Sequence, residues 1–173
     1  MYKNDARPNA KFIMWLQLQD KLLTTDRLAK WGITVDLECV MCHTQPENRN
    51  HSCMDCDFAI TMWNMTLIWL QKQAGPTTRW NQHVAWIIQN AKGRTQQAHI
   101  FRSVYTEFVY AIWMERNQKI FEKKSRDWES IDREIAYLSN IASCVKLATL
   151  VVVIANSGIG ECRLETVCGG GFG

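Results

Sequence analysis

The sequence lacks any apolar stretch long enough to cross a membrane. Its longest apolar run, residues 147–155, is about half of the roughly 20 residues that a membrane-spanning helix needs. The N-terminal stretch MYKNDARPNAKF has neither the apolar region nor the cleavage site of a secretory signal. We therefore expect an intracellular protein, nuclear or cytoplasmic, with no membrane partner.

A strong charge imbalance and internal repeats are also missing. The net charge of +3 is mild and by itself favours neither nucleic acid nor a membrane surface as a partner. Hydrophobic residues, in contrast, make up 47% of the 173 residues and include eight tryptophans. A chain of this length and composition can form one ordinary domain with a substantial core.

Apolar residues recur at helical spacing along most of the chain, which predicts a mostly α fold. The predicted helices are two within residues 8–32, one after Cys56, one over residues 80–93, one over residues 100–120 and one from about Asp127. Thr24 or Thr25 is a suitable N-cap for the second helix, and Gly32 is a suitable residue to end it. We expect five tryptophans in the core, Trp15, Trp63, Trp69, Trp86 and Trp113, whereas Trp31, Trp80 and Trp128 are candidate stacking surfaces.

Four of the seven cysteines lie within the nineteen residues from Glu38 to Cys56, together with two of the four histidines. In a chain without a secretory signal, this crowding indicates a metal site in a reducing compartment and not a disulfide framework. Two ligand sets have the spacing of a closed zinc site. One is Cys39, Cys42, His51 and Cys56, and the other has Cys53 in place of His51. Spacing alone leaves both open.

The order of these residues resembles a known family. An apolar helix with Trp15, a Leu-Thr-x-Asp-Arg-Leu turn, and Asp36 before the first cysteine pair are followed by Glu47, His51, Cys56 and an aromatic-rich helix. Downstream, WMERNQKIF is similar to a Trp-x-Glu-Arg-Asn-x-x-x-Phe signature. The pattern resembles the zinc-binding domain that follows the reverse transcriptase of plant non-LTR (LINE-type) retrotransposons. It covers about residues 8–125.

The resemblance implies a mostly α domain with one small CCHC-type zinc knuckle, in which Zn²⁺ is held by Cys39, Cys42, His51 and Cys56. This chain departs from the family at one position, because it has Cys53 where the family has an apolar or aromatic residue. Cys53 therefore remains the competitor of His51 for the metal. We expect a zinc-binding domain with flanking helices over residues 8–70 and a helical extension over residues 77–145. A third segment, residues 146–173, is expected to be an irregular or short-strand tail.

The predicted zinc knuckle is acidic, which argues against direct contact between the knuckle and phosphates. Residues 36–57 contain five acids and one base, a balance of −4. Residues 92–126, in contrast, contain eight bases and three acids, a balance of +5. Because affinity for nucleic acid comes largely from Lys and Arg neutralising phosphates, we expect RNA or DNA to meet the basic flanks. The candidate contacts are Arg116, Lys119, Lys123, Lys124 and Arg126.

The sequence has no recognisable catalytic machinery. It contains no Asp-Asp pair of the kind that a reverse transcriptase uses to hold two metal ions. A ribonuclease H domain would need a set of carboxylates, and after residue 146 the sequence has only Glu161 and Glu165. A closed four-ligand zinc site also has no open position for water. We therefore expect a non-enzymatic module with no small-molecule substrate, whose partner can be a reverse transcriptase domain supplied by another chain. The alternatives are a zinc-stabilised protein-interaction domain and a non-functional relic of a retroelement.

Overall fold

The computed structural model describes residues 4–75, 79–131 and 133–138. Its helices are α1 (Pro8–Leu18), α2 (Thr25–Lys30), α3 (Asp57–Trp69), α4 (Trp80–Ala91) and α5 (Gln96–Phe121). Residues 128–131 and 133–138 are also helical. The only β pairing in the described ranges is an isolated antiparallel bridge between Glu38 and Pro46. The mostly α prediction is confirmed, whereas the tail predicted for residues 146–173 lies outside the described residues.

Each of the helices α1 to α5 is followed, within two residues of its last residue, by a residue with positive φ, and after α4 and α5 these residues are Gly93 (φ 107°) and Lys123 (φ 56°). Gly32 (φ 79°) follows α2, as predicted. Asp20 (φ 55°) follows α1 and Gln71 (φ 54°) follows α3, although neither is a glycine. At the end of α3 the backbone N–H of Lys72 donates to the carbonyl of Leu67 at 2.9 Å, which is the bond of a Schellman motif.

The core lies where α3 and α4 pack against the long helix α5. Trp63 of α3 lies within 4.8 to 6.4 Å, centroid to centroid, of Trp86 of α4 and of three α5 rings, Phe101, Tyr105 and Phe108. Most of these pairs are edge-to-face, the arrangement that aromatic quadrupoles favour. Phe101 and Phe108 are 1% exposed. Burial of these rings contributes to the stability of the fold.

The N-terminal segment is held against the middle of α5. Arg7 donates to the Glu107 carboxylate from its backbone N–H and twice from its guanidinium, at 2.7 to 2.9 Å. Ile13 and Met14 of α1 pack against the same core that contains Phe108. The segment over residues 8–70 and the helices that follow it therefore share one hydrophobic core.

Two tryptophans that we expected in the core are exposed. Trp15 is 48% exposed and Trp69 is 38% exposed. α1 is apolar on nearly all sides, and only the side that carries Ile13 and Met14 can face α5. Periodicity predicts a helix here but cannot say which of several apolar faces is buried. Among the described residues, no helix is long and apolar enough to pass through a bilayer.

Candidate metal centre

The first cysteine pair lies on a tight loop closed by backbone hydrogen bonds. The N–H of Cys39 donates to Gln45 O at 2.8 Å, and the N–H of Glu47 donates to Leu37 O at 2.8 Å. Within the loop, His43 donates its N–H to Cys39 O at 2.9 Å and has a φ of 55°. The chain therefore turns back directly after Cys42, and the bridge between Glu38 and Pro46 closes a minimal hairpin here.

The second half of the site is made by one π-helical turn, His51–Asp55, and the start of α3. Cys56 is the N-cap of α3 and donates its backbone N–H to His51 O at 2.8 Å. Asn48 Oδ1 accepts the backbone N–H of His51 at 3.0 Å and so caps this turn. The wide turn brings His51 and Cys56 to the same side of the chain.

The four predicted ligand atoms, those of Cys39, Cys42, His51 and Cys56, lie within 4.8 Å of one another. Cys39 Sγ and Cys56 Sγ are 3.9 Å apart, and Cys42 Sγ and His51 Nε2 are 3.2 Å apart. Tetrahedral zinc with Zn–S bonds of about 2.3 Å requires ligand separations of about 3.8 Å. The geometry and the donor set, three thiols and one imidazole, fit zinc in a closed structural site. These four residues are positioned to bind a metal ion.

Electrostatics couple the two buried thiols of the site. The contact with Cys56 lowers the pKa of Cys39 despite burial, and the backbone N–H groups of Cys42 and Met41 act in the same direction. The same contact with Cys39, together with burial, raises the pKa of Cys56, so this thiol holds its proton more tightly. Both thiols must lose their protons to bind a metal ion, so metal binding is expected to weaken with acidity.

Cys53 lies outside the cluster. Its Sγ accepts a hydrogen bond from Gln17 Nε2 at 3.1 Å, and burial raises the pKa of this thiol to about 12. A buried thiol of this kind behaves as a small hydrophobic side chain. The structure thus brings His51, and not Cys53, together with the other three cysteines. The ligand assignment itself stays a prediction until the metal is measured.

A buried ion pair connects the metal-binding loop to α5. Arg116 donates from Nε and Nη2 to the two carboxylate oxygens of Glu47, both at 2.8 Å, and Glu47 Oε2 also accepts the backbone N–H of Thr25 at 3.0 Å. The side chains of Arg116 and Glu47 are only 7% and 1% exposed. Both residues belong to the pattern that resembles the family, but nothing in the sequence indicated that they pair. Their pairing removes Arg116 from the predicted nucleic-acid contacts, because its guanidinium is not exposed to solvent.

The other predicted basic contacts do not form one exposed cluster. Arg126 binds the carboxylates of Glu115 and Glu134. Lys119 Nζ donates to Met41 O at 3.3 Å, beside the metal-binding loop. Lys123 and Lys124 are exposed, and Lys124 lies 3.9 Å from Glu122. The basic end of α5 is therefore smaller than the sequence suggested, and it is centred on Lys119, Lys123 and Lys124.

A loop, a π-helical turn and a helix N-terminus converge here on three cysteines and one histidine, which is the construction of a structural zinc-binding domain. Residues 1–63 match the family described as zinc-binding in reverse transcriptase. The match supports a reverse transcriptase zinc-binding domain in this segment, and that family is an accessory domain and not the polymerase domain itself. The match covers about a third of the chain and ends within α3. No curated protein and no solved structure shows a significant match to the chain.

Proposed function

We propose that the protein is a non-catalytic, zinc-stabilised module that associates with nucleic acid, and that its metal maintains the fold. The observation that carries this proposal is the closed set of four soft ligands, which leaves no open coordination position for chemistry. The Glu47–Arg116 pair supports the same interpretation, since it holds the metal-binding loop against α5. Zinc binding by free thiols also requires a reducing compartment, the nucleus or the cytoplasm.

The contact with nucleic acid is proposed at the basic end of α5, outside the metal centre. Asp36, Glu38, Asp55 and Asp57 are exposed around the metal-binding segment and repel phosphates. Lys119, Lys123 and Lys124 provide the opposite charge. Such contacts are independent of base sequence and apply to RNA and DNA alike.

The test neutralises these three lysines together, as Lys119→Gln, Lys123→Gln and Lys124→Gln, in the zinc-loaded chain. Binding of labelled RNA and DNA is then measured between about 50 and 200 mM salt. We expect weaker binding and a salt slope reduced by about 2, since each lost phosphate contact contributes about 0.7 to 0.9. The matched control is Lys92→Gln with Arg94→Gln, exposed bases beyond the other end of α5. An unchanged affinity and slope would show that this end of α5 does not contact nucleic acid.

A second candidate function is a zinc-stabilised protein-interaction domain, with a reverse transcriptase domain of another chain as one partner. The exposed apolar side chains of α1, Phe12 (58%), Trp15 (48%) and Leu18 (40%), favour it. Exposed apolar groups at helical spacing often mark protein interfaces. If neither RNA nor DNA binds the zinc-loaded protein at low salt, this second function replaces the first.

A further inference from the structure

The outer surface of α1 and α2 has exposed aromatic rings with cations next to them. Phe12, Trp15 and Trp31 are 58%, 48% and 57% exposed. Together with Lys21 and Arg27 they form what we term the aromatic–cation surface. Three rings that are about half exposed leave about 300 Å² of aromatic area in contact with water. Patches of this size on a monomer often serve binding.

Direct contacts make this surface continuous. The Phe12 and Trp15 rings stack at 6.1 Å with an interplanar angle of 21°. Lys21 Nζ lies 5.0 Å from the centre of the Trp15 ring, and the Arg27 guanidinium lies 5.1 Å from the centre of the Trp31 ring. Arg27 Nη1 also donates to the backbone carbonyl of Asp20, the residue before Lys21. The rings of α1 and α2 are thereby joined through their cations.

The charge of this surface is positive. Lys11, the only charged residue of α1, is exposed and precedes Trp15 by one helical turn. The two nearby acids are already engaged. Asp26 binds Lys30 at 2.9 Å, and Asp20 lies 3.8 Å from Arg49. Within the described part of the chain, no carboxylate lies within ion-pair distance of Lys11, Lys21 or Arg27.

We propose that the aromatic–cation surface binds single-stranded nucleic acid. A nucleotide carries a flat π-face and a negative phosphate a short distance apart, which matches a ring with a cation beside it. Base stacking on an exposed aromatic ring is strong and independent of base identity, and it needs a strand whose bases are not already paired. An apolar protein surface would instead have to desolvate Lys21, Arg27 and the neighbouring Lys11, which is costly. This inference rests on the proposed association with nucleic acid, adds a stacking contact on α1 and α2 to the phosphate contact proposed at the basic end of α5, and names the ligand as single-stranded.

The experiment uses the zinc-loaded full chain and thymidine oligonucleotides of about 15 nucleotides, single-stranded or paired with their complement. We expect the single strand to bind more tightly than the duplex and to quench tryptophan fluorescence. Trp15→Leu with Trp31→Leu keeps an apolar side chain at each position but removes the stacking face. We expect this double variant to weaken single-strand binding by at least tenfold, whereas Trp15→Phe with Trp31→Phe retains most of the affinity. Lys21→Gln should lower the salt slope by about 0.7.

Tyr137→Ala removes an aromatic ring that is 65% exposed on another helix, and we expect it to have no effect. If nucleic acid binds equally as single strand and duplex, or if the Leu variant binds like wild type, the inference is wrong while the proposed function stands. If neither oligonucleotide binds, the inference and the proposed function both fail, and the surface is assigned to a protein partner.

Discussion

The metal-binding segment and the helical core are held together by different forces. Residues 36–56 are largely loop, and they are shaped by four clustered ligands and by the Glu47–Arg116 pair. α3, α4 and α5 instead pack around Trp63 and the aromatic rings of α5. Polar cross-links act at a few points and fail when one partner is lost, whereas apolar packing is spread over many contacts. The fold of the metal-binding segment therefore depends on a few individual side chains, whereas the fold of the core depends on many apolar contacts together.

Removal of the metal should give the largest difference in stability between the metal-binding segment and the helical core. We expect a chelator, or His51→Ala, to abolish protection from hydrogen exchange in residues 37–56 while residues 101–112 stay protected. Structural zinc contributes on the order of 10 kcal/mol to folding of small zinc-binding peptides, far more than any other interaction in this loop. Cys53→Ala is the control and should keep one zinc per chain. Loss of zinc in Cys53→Ala with retention in His51→Ala would reverse the ligand assignment.

The buried ion pair should give the next largest effect. Glu47→Gln leaves the Arg116 charge buried without its partner, which costs about 3 to 5 kcal/mol. Arg116→Lys, made alone, should keep little of the stability that the pair provides, because an ammonium cannot reproduce the two parallel hydrogen bonds. Glu47→Leu with Arg116→Met removes both charges and should recover much of the loss. Urea denaturation measures all three, and a cost below about 1 kcal/mol for Glu47→Gln would mean that the loop does not depend on this pair.

Acid should destabilise the core through one histidine. His83 is 4% exposed, its Nε2 is 3.0 Å from Tyr105 Oη, and burial lowers its pKa to about 4. The unfolded chain takes up this proton near pH 6.5, so the unfolded state binds more protons between pH 4 and 6.5. Stability is therefore complete above about pH 6.5 and falls by about 3 kcal/mol as the pH drops to about 4.

Zinc-loaded His83→Gln is the comparison for this pH effect, since acid-induced loss of the metal affects both proteins equally. Denaturation midpoints measured from pH 7 to pH 4 should fall less steeply in the variant. Parallel curves for the two proteins would show that His83 does not titrate with this shift.

The smallest effect concerns a helix end in the core region. Gln71 has a φ of 54° and is exposed, so Gln71→Gly relieves the left-handed strain and should stabilise the protein by about 0.5 to 1 kcal/mol. Gly32→Ala is the matched control, because Gly32 has a φ of 79° and an added Cβ there meets no atom within 4 Å. We expect this control to be destabilised by a similar amount in thermal denaturation. A destabilised Gln71→Gly would show that the glutamine side chain contributes more than the backbone strain costs.

The sequence predicted well those features that depend on residues close in the chain. Helical periodicity located α3, α4 and α5, and Gly32 marked the end of α2. It did not predict the ends of α1 and α3, because Asp20 and Gln71 adopt a conformation usually reserved for glycine. It also placed Trp15 in the core, since an apolar helix does not reveal which of its faces will find a partner.

By itself, the sequence determined the helices, the soft ligands of a zinc site and the acidity of the segment around them, because spacing and composition act locally. The tertiary structure decided three further points: His51 and not Cys53 lies with the three cysteines, Arg116 is buried against a carboxylate 69 positions away, and aromatic rings of α1 remain exposed. Each of these depends on which surfaces meet after the chain has collapsed. Side-chain burial and ion pairing are therefore set by the packing of α1, α3 and α5, which no short stretch of sequence contains.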